Sequence, residues 1–384
     1  MSDDDGRHFW MAWNLVPFLG KAARRMSRRI FPLLAKRPES GEKGKIKAGT
    51  FSLLVQALKQ YELEAALERE WKKVKEMGCR VLTPADADYP DRLREIHDPP
   101  PVLYMFGSFS PRDEVALAIV GARQASHYGR QAARWISSDL AAAGVTIVSG
   151  LARGIDTEAH RAAIDAGGRT LAVLGSGLDR PYPRENRSLC EKIAGDGAVL
   201  SPFPLGAEPL AMNFPARNRI ISGLSFGTLV VEATERSGSL ITANFALEQG
   251  REVFAVPGRI THRGSVGTNF LIKNGAGLVQ SAADILQEFP PYLSAKLPSR
   301  PVSPDPEKNG GDLTSEELSI LSFLSVDEAI HIDSLADKVS LRIPRLLDRL
   351  LQLEIRDRVV HLPGQNYILR IKRSGGVGKV TRHR

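Results

Sequence analysis

Between residues 115 and 288 short apolar runs alternate with stretches of helical periodicity. Residues 115–120 are almost continuously apolar, and further short β-rich runs lie at 146–149, 169–174, 197–200, 229–231 and 253–256. Helical patterns separate them near 128–143, 156–166, 186–194, 214–224 and 239–249. A strand covered on both faces reads as an unbroken apolar run, and strands alternating with helices of this length read as βαβ units. The pattern therefore predicts an α/β fold, a Rossmann-like doubly wound and mostly parallel sheet.

The flanks follow other rules. Upstream, apolar positions from Leu53 to Val74 recur at helical spacing, a short strand is expected at 80–82, and Pro99-Pro100-Pro101 leads stiffly into a run at 103–106. Downstream, residues 289–312 hold six prolines and Gly310-Gly311, the composition of a linker. Thr314 then opens a capping sequence before a helix. Two more helical patterns follow, near 334–339 and 343–353, and the turn at Pro363–Asn366 joins two strands as a hairpin. Three helices and a hairpin in so short a segment predict a winged helix. The expected division is an N-terminal helical region (1–88), a Rossmann-like domain (89–288), a linker (289–312), a winged-helix domain (313–370) and a basic tail (371–384).

Charge changes this picture by its placement. The chain of 384 residues has a net charge of +8. Residues 21–47 carry ten Lys/Arg against two Glu, and residues 370–384 carry six Lys/Arg and no acid, so the remainder is net negative. A globally basic surface for a duplex is not implied, and any nucleic-acid site in the middle must be local. The segment 21–47 reads as a solvated face or as a nucleic-acid contact. Two cysteines, Cys79 and Cys190, make no disulfide framework, and no Cys/His spacing matches zinc. No run is long enough to span a membrane, and the acidic start does not suit a signal peptide, so a cytoplasmic protein is expected.

In an open parallel sheet, ligands gather beyond the carboxyl ends of the strands. Four glycine-containing turns fall there: Gly121-Ala122-Arg123, Ser149-Gly150 through Arg153 to Asp156, Gly175-Ser176-Gly177, and Ser237-Gly238-Ser239. Amide-rich turns with arginines inside predict an anion site, phosphate being the expected anion. No G-x-G-x-x-G follows the first strand, and no P-loop or nucleophile elbow is present, so dehydrogenase, ATPase and hydrolase readings have no motif and no cofactor is expected. The segment from Asn213 to Arg219 places Phe214, Arg217, Asn218 and Arg219 at a helix start. They can bind phosphate and stack a base, or form a buried network with Asp156 or Glu232. His160 and Asp156, four apart, suggest a metal or acid–base pair or, more commonly, a hydrogen-bonded structural pair. Glu232 reads better as an internal arginine partner than as a catalytic acid.

These residues resemble the DNA-processing protein A family (DprA, also called Smf). The blocks AIVGARQASHYG (118–129), IVSGLARGIDTEAH (147–160), LAVLGSGLDRPYPREN (171–186), NFPARNRIISGLS (213–225), LVVEATERSGSLITANFALEQGREVFAVPG (229–258) and GTNFLIKNGA (267–276) carry the likeness. Ala122 departs from it where the family commonly has serine, and Phe18 where a hairpin glycine is usual. The resemblance implies a non-enzymatic, dimeric, cytoplasmic protein that binds single-stranded DNA. It would protect incoming strands in natural transformation and load the RecA recombinase onto them. By the same resemblance the DNA pocket involves Gly121, Arg123, Ser149, Gly150, Arg153, Phe214, Arg217, Asn218 and Arg219, with Ser237 and Gly238 nearby. Two rivals remain. One is a nucleotide phosphoribohydrolase-like enzyme, to whose glycine-rich loop Gly227-Thr228 with Glu232 is weakly similar. The other is a duplex-binding regulator using the winged helix, although the third helix there offers only a thin basic stripe and suits protein contacts better.

Overall fold

The computed structural model describes residues 7, 11, 14, 15, 63–298 and 313–370, apart from 326, 327 and 357. The basic segment 21–47, the tail 371–384, most of the first 62 residues and the middle of the expected linker lie outside the described residues. The chain divides into two compact units.

The first unit is built on nine strands among the described residues: β1 (Arg80–Leu82), β2 (Leu103–Gly107), β3 (Ala116–Val120), β4 (Thr146–Ser149), β5 (Thr170–Val173), β6 (Ala198–Ser201), β7 (Gly227–Val230), β8 (Glu252–Ala255) and β9 (Gly277–Leu278). They lie in the order β1-β2-β6-β5-β4-β3-β7-β8-β9. From β6 to β9 every pair is parallel, as the unbroken apolar runs require, while β1 and β2 add antiparallel pairs at the β6 edge. Successive side chains leave opposite faces of a strand. On β5 and the residue after it, Leu171 and Val173 enter one apolar core while Ala172 and Leu174 enter the other. Helices α1 (Leu63–Met77), α2 (Asp91–Arg94), α3 (His127–Ala142), α4 (Ile155–Asp165), α5 (Arg187–Asp196), α6 (Asn213–Gly223), α7 (Gly238–Glu248), α8 (Val266–Lys273), α9 (Ala282–Gln287) and α10 (Pro291–Ser294) accompany the sheet. Strand order runs outward from β3 through β4 and β5 on one side and through β7 and β8 on the other. That reversal leaves a crevice between β3 and β7 at their carboxyl ends.

One expectation is corrected here. The stretch read as linker from residue 289 begins folded: Phe289 and Leu293 are buried, α10 starts on a proline at its first turn, and Phe289 meets Phe226 edge-on at 5.0 Å. Proline density hid a short helix that proline itself permits.

In the second unit, α11 (Ser315–Phe323), α12 (Ile332–Val339) and α13 (Ile343–Ile355) precede the hairpin β11 (Val359–Leu362) and β12 (Asn366–Leu369), with β10 (Ile330–His331) pairing β12. Thr314 and Glu317 form the capping box expected for α11. Ile320, Leu335, Leu346, Leu350 and Leu353 fill the core beneath the hairpin.

Two buried polar groups set testable limits on this fold. Arg169, beside β5, forks onto Asp113 with Nε to Oδ1 at 2.6 Å and Nη2 to Oδ2 at 2.9 Å, and also donates to the carbonyls of Ser108 and Asp196. Both side chains are nearly fully buried. Removing one partner strands the other charge, so Asp113→Ala is expected to cost about 3–5 kcal/mol in urea unfolding, and adding Arg169→Met to recover much of it. A loss below 1 kcal/mol would show that the fork contributes little. His160 is wholly buried on α4 with Nδ1 2.7 Å from Thr170 Oγ1, which in turn donates to Ile147 O. Burial, with the Arg217 guanidinium second, drives its imidazole down to about 3. The unfolded chain therefore takes up a proton below about pH 6.5 while the folded chain does not, and stability present above that pH is lost as pH falls. Between pH 7 and pH 5 this loss is about 2 kcal/mol. His160→Gln should flatten the dependence; identical pH slopes for both proteins would refute the assignment.

Candidate nucleic-acid interface

The crevice between β3 and β7 is assembled from four segments. After Val120 the chain leaves β3 through Gly121 and Arg123. After Ser149 it leaves β4 through Gly150 and Ala152 into α4. From the far side α6 and the start of α7 close in. The first two turns interlock at Gly154, which has φ +75° and whose absent Cβ would lie 2.3 Å from Ala122 O. Only glycine combines that conformation with that approach. A cavity of about 250 Å³ opens at the junction, lined by Gly121, Arg123, Ala152, Asp156, Phe214, Arg217, Asn218, Ile221, Ser237, Gly238, Ser239 and Thr242 among others.

Its floor holds two buried charged side chains, Arg217 and Asp156, each held by its own partners. Arg217 Nη1 donates to Gly150 O at 2.6 Å and to Val173 O, and Nε donates to Asn218 Oδ1 at 3.2 Å. Gly150 is glycine because a Cβ there would meet that guanidinium at 2.5 Å. Asp156 Oδ2 accepts from Gly150 N at 3.1 Å and Ala152 N at 3.4 Å. Burial raises the Asp156 carboxyl above the usual carboxylate range, opposed first by the Arg217 charge and then by the two amide bonds. Burial also lowers Arg217 to about 10, opposed by Asp156, so the guanidinium keeps its proton at neutral pH. The turn at 149–156 thus has the amide arrangement of an anion site, and the Asp156 carboxyl group of the chain itself occupies it. His160 and Asp156 are both structural, but each has its own partner rather than the other.

The rim is different. Arg123 is exposed and lies 4.9 Å over the Phe214 ring, Arg217 lies 5.8 Å from the same ring, and Tyr182 meets it at 6.1 Å. Ser237 caps α7 by accepting from Ser239 N, and Asn218 Nδ2 donates to Gly238 O at 3.3 Å, tying that helix start to α6. An exposed cation, an aromatic face and a helix N-terminus converge on one opening, an arrangement suited to an anionic, planar ligand.

Sequence reasoning grouped residues that the structure separates. Arg217 and Arg219 are two apart on α6, about 200° around the helix, so they cannot face one ligand. Arg219 turns away to Asp98, Nε to Oδ2 at 3.1 Å. Arg153 is exposed and paired with Glu185, and Ser149 is buried with Oγ donating to Ile119 O at 2.6 Å. Glu232 is buried near Gly264 and does not line the cavity. Ser239, in the last of the four expected turns, lines the cavity; Tyr182 and Thr242 join the site unforeseen, and only the helix start after Ser237 hinted at Thr242. Among the described residues no group of three His, Cys, Asp or Glu is placed to hold a metal ion, and no helix is long and apolar enough to cross a membrane.

Comparison with known proteins agrees with the motif blocks. Residues 80–290 match the family model of DNA recombination-mediator protein A, and residues 303–365 match that of the DprA winged helix domain. Protein Smf of Escherichia coli strain K12 is 44% identical over 285 residues, 74% of this chain and 76% of that protein. Protein Smf of Synechocystis is 34% identical over 397 aligned positions, covering 94% of this chain and 98% of the relative. The X-ray structure of DNA processing protein A from Streptococcus pneumoniae superposes with a TM-score of 0.58 at 42% identity, covering 62% of this chain and 82% of that one. With its switch-point crevice, motif blocks and winged helix, the chain belongs to the DNA recombination-mediator protein A (DprA/Smf) family.

Proposed function

We propose that this chain binds single-stranded DNA at the β3–β7 crevice, protects it, and delivers it to the RecA recombinase as a cytoplasmic, non-catalytic dimer. The observation that carries the reading is Phe214 at the cavity mouth beneath the exposed Arg123, beside the α7 N-terminus. A base stacks on such a ring whatever its identity, while phosphates take the guanidinium and the helix end. A cavity of about 250 Å³ admits a splayed base and excludes a duplex. Family membership supports a role in DNA processing during recombination, and with it the RecA hand-over.

The rivals fare less well. An enzymatic reading needs Glu232 at the ligand, and its carboxyl is buried outside the cavity. A duplex reader needs a basic winged helix, yet residues 313–370 hold seven Lys/Arg against nine Asp/Glu, a net −2. On its third helix Arg345 and Arg349 are already held by Glu316 at 2.6 and 3.0 Å.

The test is fluorescence anisotropy with labelled oligothymidylate and matching duplex at two salt concentrations. Wild type should prefer the single strand. Phe214→Ala should weaken binding by about 1–3 kcal/mol. Arg123→Ala should lower the salt slope by about 0.7, one phosphate contact. Wild-type affinity in both variants, at unchanged melting temperature, would refute the site.

A further inference from the structure

Resting on the reading of the crevice as a single-strand site, we infer that the strand leaves it in one direction, across the carboxyl ends of β7 and β8. A second contact zone waits there, made of Arg236, Arg263 and Ile260.

The first observation is a charge asymmetry along one sheet edge. On the β4–β5 side of the crevice, Arg153, Arg180 and Arg187 are each in an ion pair, with Glu185, Glu208 and Glu191. Arg184 is the exception there, and Asp179 lies close by in the chain. On the β7–β8 side, Arg236 and Arg263 are exposed and make no ion pair among the described residues, and Glu235 is the exposed acid between the crevice and the next turn. A polyanion gains little from arginines that already have carboxylate partners, because each contact must first break a bridge. Phosphates are therefore drawn from Arg123 toward Arg236 and Arg263, not toward β5.

The second observation is the turn that carries Arg263. After β8 the chain makes a tight excursion from Pro257 to Ser265. Asn269 on α8 clamps its base in both directions, Oδ1 accepting from Gly258 N at 3.2 Å and Nδ2 donating to Gly258 O at 2.9 Å. His262 N bonds to Arg259 O, and Ser265 N to His262 O. The end of the turn is pinned to the chain leaving β7: Ala233 N donates to Gly264 O at 2.7 Å, and Gly267 N to Ala233 O at 2.8 Å. The same segment runs on through Arg236 to the Ser237 cap of the crevice, so the two zones are joined by a short, hydrogen-bonded stretch of backbone.

At the tip of this turn stands Ile260, 91% exposed, between Arg259 and the charged end of the loop. A large apolar side chain held out on a pinned turn, with cations on the same excursion, has the composition of a contact for one unstacked base beside its phosphates. Electrostatic tracking plus an apolar platform is how a sequence-tolerant groove lengthens its grip on a strand.

Length dependence separates this zone from the crevice. Anisotropy titrations would use oligothymidylates of six and twenty nucleotides with wild type, Arg236→Ala/Arg263→Ala, Ile260→Ser and the opposite-side control Arg180→Ala/Arg187→Ala. The double variant should bind the hexamer within twofold of wild type. It should bind the 20-mer roughly 20-fold more weakly near 0.1 M salt, with the salt slope reduced by about 1.4 for two lost phosphates. Ile260→Ser should weaken the 20-mer alone, and the control should change neither. Unchanged 20-mer binding in the double variant, or an equal loss in the control, overturns the direction. Failure of wild type to bind either oligonucleotide would overturn the underlying single-strand reading, which a deficit confined to the longer strand cannot do.

Discussion

Everything at the crevice depends on one buried guanidinium. Arg217 is drawn out of water between two strand ends, where a bare cation would be costly, and it persists because two carbonyls and an asparagine receive it while the Asp156 charge opposes the effect of its burial from farther off. In satisfying itself it binds the exit of β4 and the end of β5 to the second turn of α6. The Asp156 carboxylate likewise gathers the amides of Gly150 and Ala152. Arg217 and Asp156, each through its own backbone bonds, thus clamp the shape of the crevice. Ligand charge is left to the rim, where Arg123 and the α7 N-terminus remain open to solvent.

This division explains why the fold was more legible in the sequence than the site. Apolar runs at 115–120 and 169–174 translate directly into strands buried on both faces, because the requirement is local and repetitive. Helix positions followed from the same alternation, and the turns fell at the sheet edge that the βαβ order demands. The site depends instead on where side chains point. Arg217 and Arg219 look equivalent in a string of letters, but helical geometry sends one under the crevice and the other to Asp98. Asp156 was visible as a candidate partner for an arginine; that it instead fills the amide nest of its own turn follows from backbone geometry that the letters do not carry.

One stretch was misread and another only half read, for the same cause. Prolines between 289 and 301 signalled a linker, yet Phe289 and Leu293 find apolar surface and fold the first part of it. The thin basic stripe expected on the third helix of the winged-helix unit is thinner still, because Glu316 from another helix takes two of its arginines. In both cases a tertiary partner distant in sequence decided the outcome, and composition within a window carries no record of such a partner.

The division of labour between floor and rim is tested most directly by a crystal structure of the chain with hexathymidylate. The account predicts a phosphate on Arg123 and the α7 N-terminus, a base against Phe214, and Arg217 still donating to the carbonyls of Gly150 and Val173. A phosphate seated on Arg217, with Asp156 displaced from the amides of Gly150 and Ala152, would contradict it.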